Sequence, residues 1–199
     1  MAKISRSHPL LIEEHLLFSQ FLKGNNAAFT QIYNLYANKL MAYGLGWGFE
    51  REILKDAIQD VFYKLYFNRK AFKEVTNLKF YLIRSLKNRI LDLLKQTADT
   101  TEIAEVNFFI QPSVLDELIA EEDRAMIQKQ IETYLNMLTG RQREAVYLRF
   151  IEELDYEEIA IMLNMTAPAV RKLVCRAIAR IREQQLSITL LLSFYKLIN

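Results

Sequence analysis

The stretch DYEEIAIMLNMTAPAVRKLVCRAIARIRE, Asp155 to Glu183, decides the fold class. Asp155 is a good helix cap, and Glu157 and Glu158 fall in the positive first turn that follows it. Tyr156, Ile159, Ala160 and Leu163 give a short helix an apolar face. Asn164-Met165 is a tight connection, because Asn tolerates the left-handed conformation. Thr166 caps a second helix, with Pro168 in its first turn. In that helix Val170, Val174, Ala177, Ile178 and Ile181 point inward. Arg171, Lys172, Cys175, Arg176 and Arg180 are left outside. A short helix, a tight turn and a second helix with a basic outer face make a helix-turn-helix. Its second helix would enter the major groove of DNA with its N-terminal half near base edges. An ordinary helical hairpin with solvated cations is the bland alternative. Against it stand the small Ala160, where the helices must approach closely, and basic residues that cluster instead of pairing with Glu at i−4.

Outward from this segment the helical period is nearly continuous. Phe29, Ile32, Tyr33, Tyr36, Leu40 and Tyr43 form one stripe after a cap at Asn25 or Asn26. Gly44-Leu-Gly-Trp-Gly48 ends that helix. Ile53, Ala57, Ile58, Val61, Phe62 and Leu65 form a second stripe, and Leu78, Leu82, Leu86, Ile90 and Leu93 a third. Ile127, Ile131, Leu135 and Leu138 form a fourth, stopped by Thr139-Gly140. No segment alternates as a strand does, so the fold class is all-α. The periodicity lapses between Thr97 and Ser113, where the chain is polar and acidic. That places a boundary between two small helical domains, at residues 10–96 and 114–185, joined by an acidic linker, 97–113. Phe108, Phe109 and Ile110 are too apolar for a purely solvated linker and predict a docking point. An apolar tail, residues 186–199, follows. Too short to cross a membrane, it either folds back on its own chain or docks on a partner.

The formal net charge of +2 hides a strong segregation. Between Lys64 and Lys95 nine basic residues face two acidic ones, and between Gln96 and Asp123 there are eight acidic residues and no basic one. From Thr166 to Glu183 five basic residues face one acidic. Two basic blocks around an acidic one suggest two anion-binding modules and a spacer. The single cysteine, Cys175, excludes an internal disulfide and a CxxC metal site. The two histidines, His8 and His15, lie together near the start and supply neither a triad nor a metal centre. The expectation is a protein that is not an enzyme and needs no cofactor, metal or small-molecule substrate. Lacking a signal-peptide pattern and a membrane span, it is expected in the cytoplasm.

The first basic block mixes cations with aromatics and amides. Phe72, Lys73, Asn77, Lys79, Tyr81, Arg84 and Asn88 are its candidate DNA contacts. Tyr81, Arg84, Asn88 and Lys95 share one helix face by spacing. Cations hold phosphates, aromatic faces stack on unpaired bases and an Asn reads a base edge, a set suited to melting DNA. Phe80 is expected in the core. The preceding helix, 50–67, carries Asp56, Gln59, Asp60, Tyr63 and Lys64 on its outer face, a candidate protein-docking surface.

Together these residues resemble a bacterial extracytoplasmic-function sigma factor over about residues 25–96 and 127–184. Lys55-Asp-Ala-Ile-Gln-Asp-Val-Phe62 resembles the segment that binds the largest RNA polymerase subunit. Residues 78–92 resemble the helix after the promoter-melting loop, which here would be about residues 69–77. Leu138-Thr-Gly-Arg-Gln-Arg-Glu144, Tyr156-Glu-Glu-Ile-Ala160 and the basic helix resemble the domain that reads the minus-thirty-five element. Pro168-Ala169 stands where the family usually has Gly-Thr, and Leu173 where it often has Arg.

The resemblance implies core RNA polymerase and promoter DNA as partners, with an anti-sigma factor besides. It assigns Asp56, Gln59, Asp60, Tyr63 and Lys64 to polymerase binding. It assigns Phe72, Lys73, Asn77, Lys79, Tyr81, Arg84 and Asn88 to the minus-ten element. Thr166, Arg171, Lys172, Cys175, Arg176 and Arg180 go to the minus-thirty-five element. The rival reading is a two-domain helix-turn-helix regulator that binds duplex DNA without polymerase. A helical scaffold with no DNA role is a third, and the two basic blocks count against it.

Overall fold

The computed structural model describes residues 9–97, 108–110 and 131–183. Every element among them is helical. The N-terminal helices are α1 (Pro9–Leu22), α2 (Asn26–Leu45), α3 (Arg51–Phe67), a 3-10 turn (Arg69–Phe72) and α4 (Leu78–Thr97). Residues 131–136 are helical and lead into α5 (Gly140–Phe150), α6 (Tyr156–Leu163) and α7 (Ala167–Glu183). The expected helix start at Val114, Ile127, most of the acidic linker and the apolar tail lie outside the described residues.

Helix α2 is the post around which α1, α3 and α4 pack. Asn25 caps it, accepting hydrogen bonds from the backbone N–H of Ala27 and Ala28. Ile32, Tyr36, Leu40 and Tyr43 are buried along its inner stripe, while Tyr33, assigned to the same stripe, is exposed. A methyl group at Gly44 would lie 2.6 Å from Leu54 Cδ2, so this glycine sets how closely α2 and α3 approach. In α3 the buried row is Leu54, Ala57, Ile58, Val61, Phe62 and Leu65. Ile53, expected in that row, is 41% exposed. Both lie near the edge of an apolar stripe about 100° wide, where spacing alone does not decide which residue turns inward. Helix α4 buries Leu78, Leu82, Leu86 and Ile90 as its period predicts.

The C-terminal helices follow their local signals closely. Thr139 and Gln142 form a capping box at α5, and Asp155 and Glu158 another at α6. Each box satisfies two otherwise orphaned backbone donors. Asn164 takes the left-handed conformation (φ 52°, ψ 52°) and turns the chain from α6 into α7. Thr166 Oγ1 accepts the Ala169 N–H at the start of α7.

The two groups of helices share one buried core, in which Tyr147 of α5 packs against Tyr43 of α2 at 5.9 Å between ring centres. A second, smaller cluster joins Ile131, Leu135, Leu138, Val146 and Ala177. Phe108 is 1% exposed and closes the seam between the groups.

Candidate nucleic-acid interface

Amphipathicity builds the basic face of α7. Val170, Val174 and Ala177 are buried, Ile178 and Ile181 are half-buried, and Arg171, Lys172, Cys175, Arg176 and Arg180 are exposed. The inward set anchors the helix on α5 and α6 and leaves the cations facing water. Arg171 lies 4.9 Å from the ring centre of Tyr156, and Arg149 lies 5.0 Å from the same ring. Tyr156 therefore holds two guanidinium groups through its ring, a fixed placement that spacing did not reveal. The Nε of Arg176 donates to the Lys172 carbonyl at 3.3 Å. Arg180 donates to the Met137 carbonyl at 3.1 Å, which ties it to the end of helical residues 131–136. Thr166 is exposed at the helix entrance. All six candidates of this face lie at the surface.

The N-terminal candidates divide. Lys73, Arg84 and Asn88 are exposed, and Tyr81 is half-buried. Arg84 lies 5.9 Å from the Phe80 ring. Phe80 is itself half-buried at the edge of the core. Phe72 is not a surface ring: it is 8% exposed and packs edge-on against Tyr81 at 4.7 Å. An aromatic in a polar, basic stretch reads as a stacking residue, yet this one ends the 3-10 turn with its side chain in the buried core. Asn77 serves the fold as well. Its Oδ1 accepts the Phe80 N–H at the start of α4, and its Nδ2 donates to Glu158 of α6 at 2.6 Å. Lys79 is half-buried, and its charge opposes the burial that raises the pKa of Glu152.

On α3 all five docking candidates, Asp56, Gln59, Asp60, Tyr63 and Lys64, are exposed. Asp60 pairs with Arg89 of α4 at 3.1 Å. Tyr63 stacks on Phe67 at 4.3 Å, and both rings are mostly in water at 60% and 64% exposure. Phe67 extends this aromatic face and was missed because it sits at the helix end, beyond the periodic pattern.

Also missed were the groups where the two sets of helices meet. Lys87 and Glu144 form a buried ion pair at 2.7 Å, with side chains 8% and 5% exposed. The Tyr43 hydroxyl donates to the same Glu144 oxygen at 2.7 Å. Burial first, and then the Glu144 charge, push the Tyr43 hydroxyl well above its ordinary pKa. Glu152 is buried and accepts from the Tyr147 hydroxyl at 3.2 Å. Burial raises its pKa, with Lys79 and Lys39 opposing the shift. Burial also lowers that of Arg143, which lies 4.7 Å from the Phe109 ring.

Comparisons with known proteins agree with this arrangement. The family model for sigma-70, region 4, matches residues 128–181. The sigma factor SigM of Bacillus subtilis, of the extracytoplasmic-function type, is 21% identical over 154 residues, covering 76% of this chain and 91% of SigM. The RNA polymerase sigma-H factor of Pseudomonas aeruginosa is 24% identical over 173 residues, 83% of this chain and 90% of that one. Among solved structures, CnrH in complex with the cytosolic domain of CnrY matches with a TM-score of 0.56 at 20% identity, covering 86% of this chain and 96% of that one. The sigma factor RpoE with the anti-sigma factor NepR, from Bartonella quintana, matches with a TM-score of 0.55 at 23% identity, covering 78% and 94%. The relatives run across both helical groups, and the region 4 match falls on the helices that carry the basic face. Over most of its length the chain is similar to RNA polymerase sigma factors, SigM of the extracytoplasmic-function type among them, and its residues 128–181 match sigma-70, region 4.

Proposed function

We propose that residues 10–96 bind core RNA polymerase and open the promoter at the minus-ten element, while residues 114–185 read the minus-thirty-five element as duplex. Residues 97–113 join the two. The polymerase is met by the outer face of α3, through Asp56, Gln59, Asp60, Tyr63 and Lys64, with Phe67 extending it. The minus-ten strand is met by the exposed part of the first basic block, Lys73, Arg84 and Asn88, with Tyr81 beside them. Arg171, Lys172 and Arg176 meet base edges or phosphates in the major groove, with Thr166 at the helix entrance. The protein acts by binding, not by catalysing a reaction of its own, and works in the cytoplasm with the polymerase. Among the described residues no helix is long and apolar enough to cross a membrane. The tether raises the local concentration of each element for its reader once the other is bound.

The observation that carries this reading is the division of α7 into a buried apolar row and an exposed basic row directly after a capped turn. A protein inhibitor of the anti-sigma class is a further expected partner, since the matched RpoE structure holds the anti-sigma factor NepR.

Strand opening is the test of the N-terminal assignment. Arg84→Ala with Asn88→Ala is expected to slow open-complex formation on a duplex promoter, with partial rescue on a pre-melted template. The bubble removes the few kcal/mol of unstacking that base capture must offset. Equal defects on both templates would remove the melting role from these residues.

A further inference from the structure

We propose that Tyr156 is a positioning residue for promoter reading: anchored by Arg149, its ring presents the Arg171 guanidinium to one base pair of the minus-thirty-five element. The inference rests on the proposed reading of duplex DNA by α7. It gives Arg149 and Tyr156, which lie outside the candidates of that face, a part in the reading.

Helices α5, α6 and α7 and the loop between the first two build this relay. Leu154, in that loop, is buried, and its N–H donates to the Leu148 carbonyl at 3.0 Å. Its own carbonyl is thereby fixed and accepts from Arg149 Nη1 at 2.9 Å. Arg149 sits in the last turn of α5, half-buried, with its guanidinium carbon 5.0 Å from the centre of the Tyr156 ring. Tyr156 opens α6 inside the Asp155–Glu158 capping box, so its backbone is held as well. The same ring takes Arg171 of α7 at 4.9 Å. Exposure rises along the series: Leu154 is buried, Arg149 and Tyr156 are half-buried, and Arg171 is exposed. The inner end is rigid and the outer end faces water.

Two features mark Arg171 as the member that turns to DNA. Among the described residues it forms no ion pair, so the ring is what orients it. It also lies in the N-terminal half of α7, the half of a recognition helix that reaches base edges. A guanidinium reads a guanine edge through two parallel N–H groups, which demands one orientation, whereas a phosphate is met as a charge from many directions. Holding the fork against a ring removes wrong orientations before DNA arrives. The gain therefore falls on the correct base pair and not on non-promoter duplex, where charge alone governs binding. Because the ring is uncharged, it adds discrimination without changing how many phosphates the face neutralises.

The test uses the holoenzyme, full chain with core RNA polymerase. It measures the preference among base pairs at each position of the minus-thirty-five block, with the salt dependence of binding followed beside it. Arg171→Ala should relax one position. Tyr156→Leu should relax the same position by about two- to fivefold, the size of a surface cation–π contact, with the salt slope unchanged. Tyr156→Phe, which keeps the ring and drops the hydroxyl, should retain the native preference. In an Arg171→Ala background Tyr156→Leu should change nothing further, whereas a general loosening of the fold would add its own loss. Arg149→Met, which keeps a long side chain and removes its charge, should relax that position in the same direction. Native preference in Tyr156→Leu or in Arg149→Met would overturn the relay. So would a loss in Tyr156→Phe as large as in Tyr156→Leu, which would move the role to the hydroxyl. Failure of the relay alone leaves Arg171→Ala relaxing its one position. A uniform loss in Arg171→Ala across all sequences would overturn the base-reading assignment itself, and the relay with it.

Discussion

Arg171 and Arg176 are one turn and a little more apart on the exposed side of α7, and Tyr156 restrains the first of them. A guanidinium already positioned loses less freedom when it forms a bidentate contact to a guanine edge. Each Arg→Ala substitution should cost about 1–3 kcal/mol of promoter affinity in a titration of holoenzyme on DNA, with preference relaxed at one base pair. A uniform loss across all sequences would reassign that arginine to phosphate. Phe72 makes the opposite case. Its burial against Tyr81 predicts that Phe72→Ala lowers stability by about 3–5 kcal/mol in denaturant unfolding. A small stability loss joined to a melting defect on DNA would return the ring to a stacking role. Residue type and local charge suggested surface for Phe72 and Asn77 alike. What they do is set by their partners, Tyr81 and Glu158, the second of them far along the chain.

Elements whose limits are written in local chemistry were legible. The caps at Asn25, Asp155 and Thr166 and the left-handed Asn164 all act within a few residues of themselves. A reader of sequence therefore sees the helix-turn-helix almost complete. The edges of broad apolar stripes were less legible, as Ile53 and Tyr33 show, because a helix is buried by its neighbours and not by its own pattern. Helix α3 carries the prediction that belongs to this scale. Asp60→Arg with Gln59→Ala places a cation on the docking face and also breaks the partly exposed pair of Asp60 with Arg89. Such a surface pair contributes at most about 1 kcal/mol, so the fold should survive. Core polymerase binding, measured in a pull-down with unfolding followed in parallel, should fall while the unfolding midpoint barely moves. Unchanged binding would detach this face from the polymerase.

The whole molecule was the least legible scale, because its seam is made of pairs far apart in the chain. Lys87 looked like one more cation of a basic block, and Glu144 like one more polar residue of a helix start. Only folding brings them together, with Phe108 between the groups they join. The same seam predicts a pH response. Burial holds the Glu152 carboxyl above its ordinary value of 4.5, so the folded state favours the protonated form. The stability this gives is full below 4.5 and is lost as pH rises through the higher folded value. Glu152→Gln, neutral at every pH, should therefore gain thermal stability relative to the native chain as pH climbs from 4.5 toward neutrality. A native chain that gains on the variant over that window would mean that Lys79 and Lys39 outweigh burial.

The central claim is that these two helical groups act together as the promoter-reading subunit of a polymerase. Purified chain added to core RNA polymerase, followed by selection of bound duplexes from a random pool, tests it most directly. The account predicts enrichment only when both proteins are present, of sequences with two conserved blocks at a fixed separation, the block nearer the start of transcription becoming reactive to a single-strand probe. Enrichment of one unmelted duplex motif by the chain alone, with no dependence on polymerase, would contradict it.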